Sequence, residues 1–210
     1  MRRTRIGAAR RLLATVCFAL IALAATPSFA ATKIQHLVTP GGIEAWFVQD
    51  ATVPLVAMEY AFAGGAAQDP ADKAGVGYMV ASLLDEGAAD LDSKTFHERL
   101  ERRAIELSFG IERDRLRGSL RMLKDNSDEA FGLLRLALTS PRFDTTDVER
   151  IRSQIMSGLR NNTTNPNALA GRKFIELAFG DHPYGRQSHG TLESIPAIET
   201  GDLRTYVRRV

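Results

Sequence analysis

Four histidines are the residues of this chain best suited to moving protons or holding a metal: His36, His97, His182 and His189. His182 and His189 fall in one short stretch, but no cysteine or paired carboxylate stands beside them to complete a ligand set. His182 therefore reads as a turn residue and His189 as a surface residue. Ser82 carries a hydroxyl, yet no histidine lies at helical spacing to activate it as a nucleophile. Tyr78 reads as a core or cavity-lining aromatic. Asp85 and Glu86 read as a solvated helix end. Gly64 and Gly65 are too few to cradle a phosphate. Asn161-Asn162-Thr163 and Asn162-Thr163-Thr164 match a glycosylation pattern, but the bacterial character of the chain's start makes the match accidental. No basic stretch with interleaved aromatics is present, so nucleic acid is not indicated.

These residues must be positioned by the elements around them. Ile43 to Gln49 and Leu55 to Phe62 are rich in β-branched and aromatic residues and are bounded by Gly41-Gly42 and Pro54, which predicts strands. Gly64-Gly65 and Asp69, Pro70 and Asp72 make a loop. From Gly75, the spacing of Val76, Met79, Val80, Leu83 and Leu84 predicts a helix closed by Gly87. A second helix is expected over Ser93 to Arg103, with Phe96 and Leu100 inward. Ile105 to Ile111 and Arg115 to Met122 read as strands. In the latter, Leu116, Gly118, Leu120 and Met122 alternate with Arg115, Arg117, Ser119 and Arg121, giving one buried face and one wet, basic face. Asn126 with Glu129, and Thr146 with Glu149, have capping-box spacing. They predict one helix through Phe131, Leu134 and Leu138, and another with Val148, Ile151, Ile155 and Leu159 inward. Pro166 to Phe179 suits a helix with proline in its first turn. Asp181 to Gly190 reads as a loop, and a last helix runs from about Thr200. This order predicts an α+β fold, a mostly antiparallel sheet with helices packed on one face.

The first thirty residues differ in kind. Arg2, Arg3, Arg5, Arg10 and Arg11 precede an apolar run from Leu12 to Ala25, and small residues follow around Ala30. This is the pattern of a signal peptide over residues 1–30, cleaved after Ala30, and the run is short for a membrane span. The expected location is the periplasm. Removing those five arginines from 27 basic residues leaves 22 against 25 acidic ones, a net charge of −3. The one cysteine, Cys17, leaves with the signal, so the mature chain has no disulfide and no thiolate ligand. At 210 residues, 44% hydrophobic and 25% charged, the composition is that of a globular protein with room for a core.

Three stretches together resemble one family. They are Phe62-Ala63-Gly64-Gly65 continuing through Gly75-Val76-Gly77-Tyr78 to Asp85-Glu86-Gly87, then the helix from Thr146 to Asn165, then His182-Pro183-Tyr184-Gly185 with Gly190-Thr191-Leu192-Glu193-Ser194-Ile195. In this order they are similar to the N-terminal domain of the pitrilysin/insulinase-type zinc peptidases, the inverzincins. The resemblance implies that residues 31–210 form that domain, cut short at its C-terminal end. Active members carry H-x-x-E-H on the helix that begins here near Gly75. Its histidines bind zinc and its glutamate acts as general base, and a later helix gives a third ligand, a glutamate. By this resemblance the first histidine position is Tyr78, the general-base position Ala81, the second histidine position Ser82, and the third ligand position falls at or near Gly158. None of the four can play the family's part. Ala81 cannot move a proton, Gly158 has no side chain, and the hydroxyls of Tyr78 and Ser82 stay protonated at neutral pH. No zinc or other cofactor is therefore expected in this chain.

The resemblance also implies a peptide-contacting strand at Leu107, Ser108, Phe109, Gly110 and Ile111, since adding a strand needs only main-chain groups on an open edge. The alternative there is an ordinary strand with a covered edge. Some family members are heterodimers of a zinc-bearing and a zinc-free subunit. The expectation is a non-catalytic subunit that helps enclose and bind peptide for a zinc-bearing homologous partner. Two alternatives stay open: a metallopeptidase with its active site in a missing downstream domain, and a truncated, non-functional fragment.

Overall fold

The computed structural model of the chain describes residues 33–210. The expected signal peptide, its cleavage point after Ala30, and Cys17 lie outside the described residues. The chain divides after Val53 into two compact units.

The first unit is an antiparallel hairpin of β1 (Ile34–Val38) and β2 (Glu44–Val48), with Ile34 opposite Val48. Thr39 shapes its turn: its carbonyl accepts from the Gly42 N–H and its hydroxyl from the Ile43 N–H. The His36 ring lies 4.8 Å from that of Trp46.

The second unit runs, in chain order, through β3 (Leu55–Ala63), α1 (Val76–Ala81), β4 (Gly87–Ala88), β5 (Leu91–Asp92), α2 (Ser93–Arg102), β6 (Glu106–Ile111) and β7 (Arg115–Leu123). It continues with α3 (Ser127–Thr139), α4 (Thr145–Asn162), α5 (Pro166–Phe179), α6 (Ser194–Ala197) and α7 (Thr200–Arg209). The main sheet has the order β3-β7-β6, and both pairings are antiparallel.

Strand β7 shows why the helices gather on one side. Leu116, Gly118, Leu120 and Met122 are buried, whereas Arg115, Arg117, Arg121 and Leu123 are exposed and Ser119 is half-buried. Burial of a side chain such as Leu120 or Met122 is worth roughly 1.5–3 kcal/mol. The wet face is held by ion pairs from Arg121 to Glu106 (3.0 Å) and Arg117 to Glu112 (3.3 Å), worth less than about 1 kcal/mol each in this exposed setting. On the dry face, Leu120 and Met122 meet Phe96 and Leu100 of α2 and Leu133 and Leu134 of α3. At the other end, Leu116 joins Met79 and Val80 of α1, Ile151 and Ile155 of α4, and Leu203 and Tyr206 of α7. This is the α+β arrangement that the alternating pattern predicts.

Local differences from the sequence expectations have physical causes. The first helix ends at Ala81 rather than near Gly87. The Val80 carbonyl accepts from both Leu83 and Leu84 N–H groups (2.9 and 3.1 Å), which tightens the chain into turns and carries both leucines into the core. Gly87 instead opens β4. Neither expected capping box forms. Asn126 donates to the Arg103 carbonyl (2.7 Å) and Glu129 pairs with the Arg103 guanidinium (2.8 Å), so both are drawn to the turn after α2. Helix α4 begins one residue before Thr146, and Glu149 pairs with Arg152. Phe131 is exposed, and Leu133 takes the inward place. Helix α5 starts as expected, with Asn165 accepting from the Asn167 and Ala168 N–H groups, but it buries no residue.

Candidate functional site

Helix α1 is anchored from below by a buried carboxylate. Asp69 is 2% exposed. Its Oδ2 accepts from the N–H groups of Gly75 (3.0 Å) and Gly77 (3.3 Å), the orphan donors at the start of the helix, while Oδ1 has no partner among the described residues. Burial pushes the Asp69 carboxyl up to about 6, against the opposing pull of those two N–H groups and of Arg209 and Arg186. Arg186 also donates to the Asp69 carbonyl (2.9 Å), which ties the 180s loop to the same point.

That loop comes very close to α1. Gly75 has φ +94 and Gly190 φ +80, both in the left-handed region that favours glycine. A Cβ on Gly75 would lie 2.7 Å from Gly190 Cα, and one on Gly190 would lie 2.7 Å from the Ala74 carbonyl oxygen. Backbone thus meets backbone, and the next residue back, His189, is laid against Tyr78 with ring centroids 4.2 Å apart and planes 28° apart. His189 is exposed overall. Its partial burial pushes its pKa below the ordinary imidazole value, which favours the neutral ring.

The facing wall is α4. Gly158 sits on its exposed side, and a Cβ there would meet nothing within 4 Å. Tyr78, Ser82, Gln154, Gly158, Asn162 and His189 line one cavity of about 210 Å³, floored by Ile151, Ile155 and Leu159. Three of the four positions singled out in the sequence, Tyr78, Ser82 and Gly158, therefore do come together. Ala81 does not line the cavity; it is 5% exposed, in the core. Ser82 caps α1, and its hydroxyl donates to the Tyr78 carbonyl (2.9 Å).

Sequence reasoning missed three residues here. His189 is exposed, as expected, but it also walls the cavity. Gln154 and Asn162 stand four residues either side of Gly158, so helical spacing alone could have placed them on its face. Asp85 and Glu86 are also not a solvated helix end: both are half-buried. Burial alone would raise the Glu86 carboxyl, but hydrogen bonds from Arg150 (2.6 Å) and Ser93 outweigh it and hold the pKa below its ordinary value. That contact clamps the turn after α1 to α4. Arg152 adds a second clamp, donating to the carbonyls of Ile195 and Ile198. His182 Nδ1 accepts from the Tyr184 N–H (3.1 Å), the expected turn role.

Chemically the cavity offers hydroxyls, two amides and one imidazole. Zinc needs three or four nitrogen, sulfur or carboxylate ligands. One imidazole beside two hydroxyls and two amides does not fit it. Among the described residues, no three His, Cys, Asp or Glu side chains converge as a metal site.

The remaining expected site is β6. It forms one edge of the main sheet, and no strand among the described residues pairs with its outer side. Leu107 and Phe109 turn toward the core, and Ser108 meets Ser119 across the β7 pairing (2.8 Å). Gly110 and Ile111 complete the strand opposite Arg117 and Leu116.

The frame of sheet, anchored helix and facing long helix is matched by known proteins. The insulinase peptidases, peptidase family M16, match over residues 47–192. The chain belongs to this family. It is 28% identical over 158 residues to the non-peptidase homolog YmxG of Helicobacter pylori, covering 75% of this chain and 37% of that protein. It is 24% identical over 146 residues to the uncharacterized zinc protease ML0855 of Mycobacterium leprae, covering 69% and 33%. Among solved structures it is similar to the peptidase M16 inactive domain from Pseudomonas fluorescens, with TM-score 0.79, 28% identity, and coverage of 83% of this chain and 43% of that one. A Helicobacter pylori protease shares the fold at TM-score 0.73 and 17% identity. The chain thus spans about a third of the length of these curated relatives. Among its described residues, no helix is long and apolar enough to cross a membrane.

Proposed function

We propose that this M16 family chain is a non-catalytic subunit, exported to the periplasm, that helps hold peptide for a zinc-bearing homologous partner. The observation that carries the reading is the cavity between α1 and α4. Tyr78, Ser82 and Gly158 still face one another there, but with groups that can form hydrogen bonds and no set that can bind zinc. The general-base position, Ala81, is packed into the core. The names carried by two similar proteins, a non-peptidase homolog and an inactive domain, support the same reading. The outer side of β6, with which no described strand pairs, would offer main-chain groups to an extended peptide through Leu107 to Ile111. Periplasmic export follows from the signal pattern of residues 1–30.

The test is peptide hydrolysis and zinc content of the purified mature protein, alone and mixed with a zinc-bearing homologue encoded beside it. The expected result is no metal and no turnover alone, with the partner's activity or specificity changing on mixing. Stoichiometric zinc with chelator-sensitive turnover by this chain would overturn the reading. The similar zinc protease of M. leprae favours one competing reading, a metallopeptidase whose site lies downstream. An H-x-x-E-H in a longer gene product would mark it.

A further inference from the structure

A second cavity, of about 380 Å³, lies at the edge of β6. Its wall includes Asp85, His97, Glu106, Leu107, Ser108 and Ser119. Leu107 belongs to the core face of the strand and Glu106 and Ser108 to the wet face, so the cavity reaches both faces of the sheet at its free edge.

Nearly every polar group around it is already engaged. Glu106 pairs with Arg121 at 3.0 Å, and the Ser108 and Ser119 hydroxyls hold each other at 2.8 Å. His97 Nδ1 meets the Ser93 carbonyl at 2.9 Å. Neighbouring Glu86 is taken by Arg150, which also binds Asp147 (3.1 Å). Asp85 differs. It is half-buried, and among the described residues no other residue's donor and no cation reaches its carboxylate within bonding distance. Burial pushes its pKa up and the charge of Glu86 adds to this, while a hydrogen bond from its own backbone N–H and the charges of His97 and Arg150 offset only part. An anion held partly out of water without a counter-charge is costly, and a cation entering beside it recovers that cost.

We propose that this cavity receives the lysine or arginine side chain of a peptide added as a strand to β6, and that Asp85 selects the positive charge. The inference rests on the peptide-holding reading above. Side chains of an added strand alternate between faces, so only every second peptide residue can reach Asp85.

The test uses two pools of fluorescein-labelled dodecapeptides of serine, threonine and valine, identical except for a central arginine in one and citrulline in the other. Citrulline keeps the shape and much of the hydrogen bonding of arginine but not its charge. By fluorescence anisotropy the arginine pool should bind the mature protein at least about tenfold more tightly. Asp85→Asn should bring the two pools together without weakening the citrulline pool. If Asp85→Asn does not fold, Asp85→Ser takes its place in the same comparison. Equal binding of the pools by the unaltered protein overturns the assignment to Asp85 and leaves the peptide-holding reading standing. An arginine preference that survives the substitution also overturns it. Failure of both pools to bind removes the peptide-holding reading and this inference together.

Discussion

Replacing Asp69 with asparagine should change how stability depends on pH. The side chain keeps its shape, and its amide oxygen can still accept from Gly75 and Gly77, so α1 keeps its anchor. What disappears is the titration. In the fold Asp69 binds its proton with a pKa of about 6, against an ordinary 3.8. Because the folded value is raised, the folded chain holds a proton that the unfolded chain has already released. The stabilisation is therefore full below about pH 4 and is lost as pH rises through about 6. At about 1.4 kcal/mol for each tenfold change in proton affinity, the loss amounts to roughly 3 kcal/mol. Urea unfolding of the two proteins between pH 4 and pH 8 isolates this, because every other titrating group is common to both. The stability of the unaltered chain relative to Asp69→Asn should fall by about that amount across the range. Parallel curves for the two proteins would refute the argument, and a difference of opposite slope would mean that the two N–H groups and Arg186 outweigh burial.

Three further outcomes can be checked. Gly158→Ala should stabilise the chain by about 1 kcal/mol and raise its thermal midpoint by about 2–4 °C, because the added methyl meets nothing within 4 Å and glycine is a poor helix former; scanning calorimetry reads this directly. Arg152→Ala should cost about 2–4 kcal/mol in urea unfolding, since the carbonyls of Ile195 and Ile198 lose their donor, and Arg152→Lys should recover only part because one ammonium cannot reproduce the fork. Tyr78→His, Ser82→His and Gly158→Glu combined should make the protein retain close to one equivalent of zinc after dialysis, while the alanine at position 81 keeps it hydrolytically silent; metal content no higher than that of the unaltered protein would count against the assignment of those three positions.

The sheet was legible because its signal is strictly local. Alternation along Arg115 to Met122 needs nothing beyond the strand itself to decide which residues face inward. The helix boundaries were less so. Capping boxes at Asn126 and Thr146 were plausible on spacing, but Arg103 and Arg152, distant or already inside the helix, supply stronger partners. Of the candidate site, Tyr78, Ser82 and Gly158 could be found through the family resemblance. His189 could not, because its place depends on a loop meeting α1 more than a hundred residues away in sequence. Asp85 looked solvated because its neighbour Glu86 and the following glycine are common helix-end residues. Only the turn after Ala81 reveals that it faces a cavity.

The meeting of Gly75 with Gly190 has a consequence for how this chain can change over generations. Each glycine excludes a side chain at the other, so no second substitution at the pair can rescue a first. In a library of all single substitutions, both positions should be among the most depleted, although neither carries any chemistry. Gly158, where an added Cβ would meet nothing within 4 Å, has no such backbone constraint. The contact therefore preserves the geometry of the cavity while leaving its contents free to drift, so a lineage that has lost one set of reactive groups can still acquire another on the same frame.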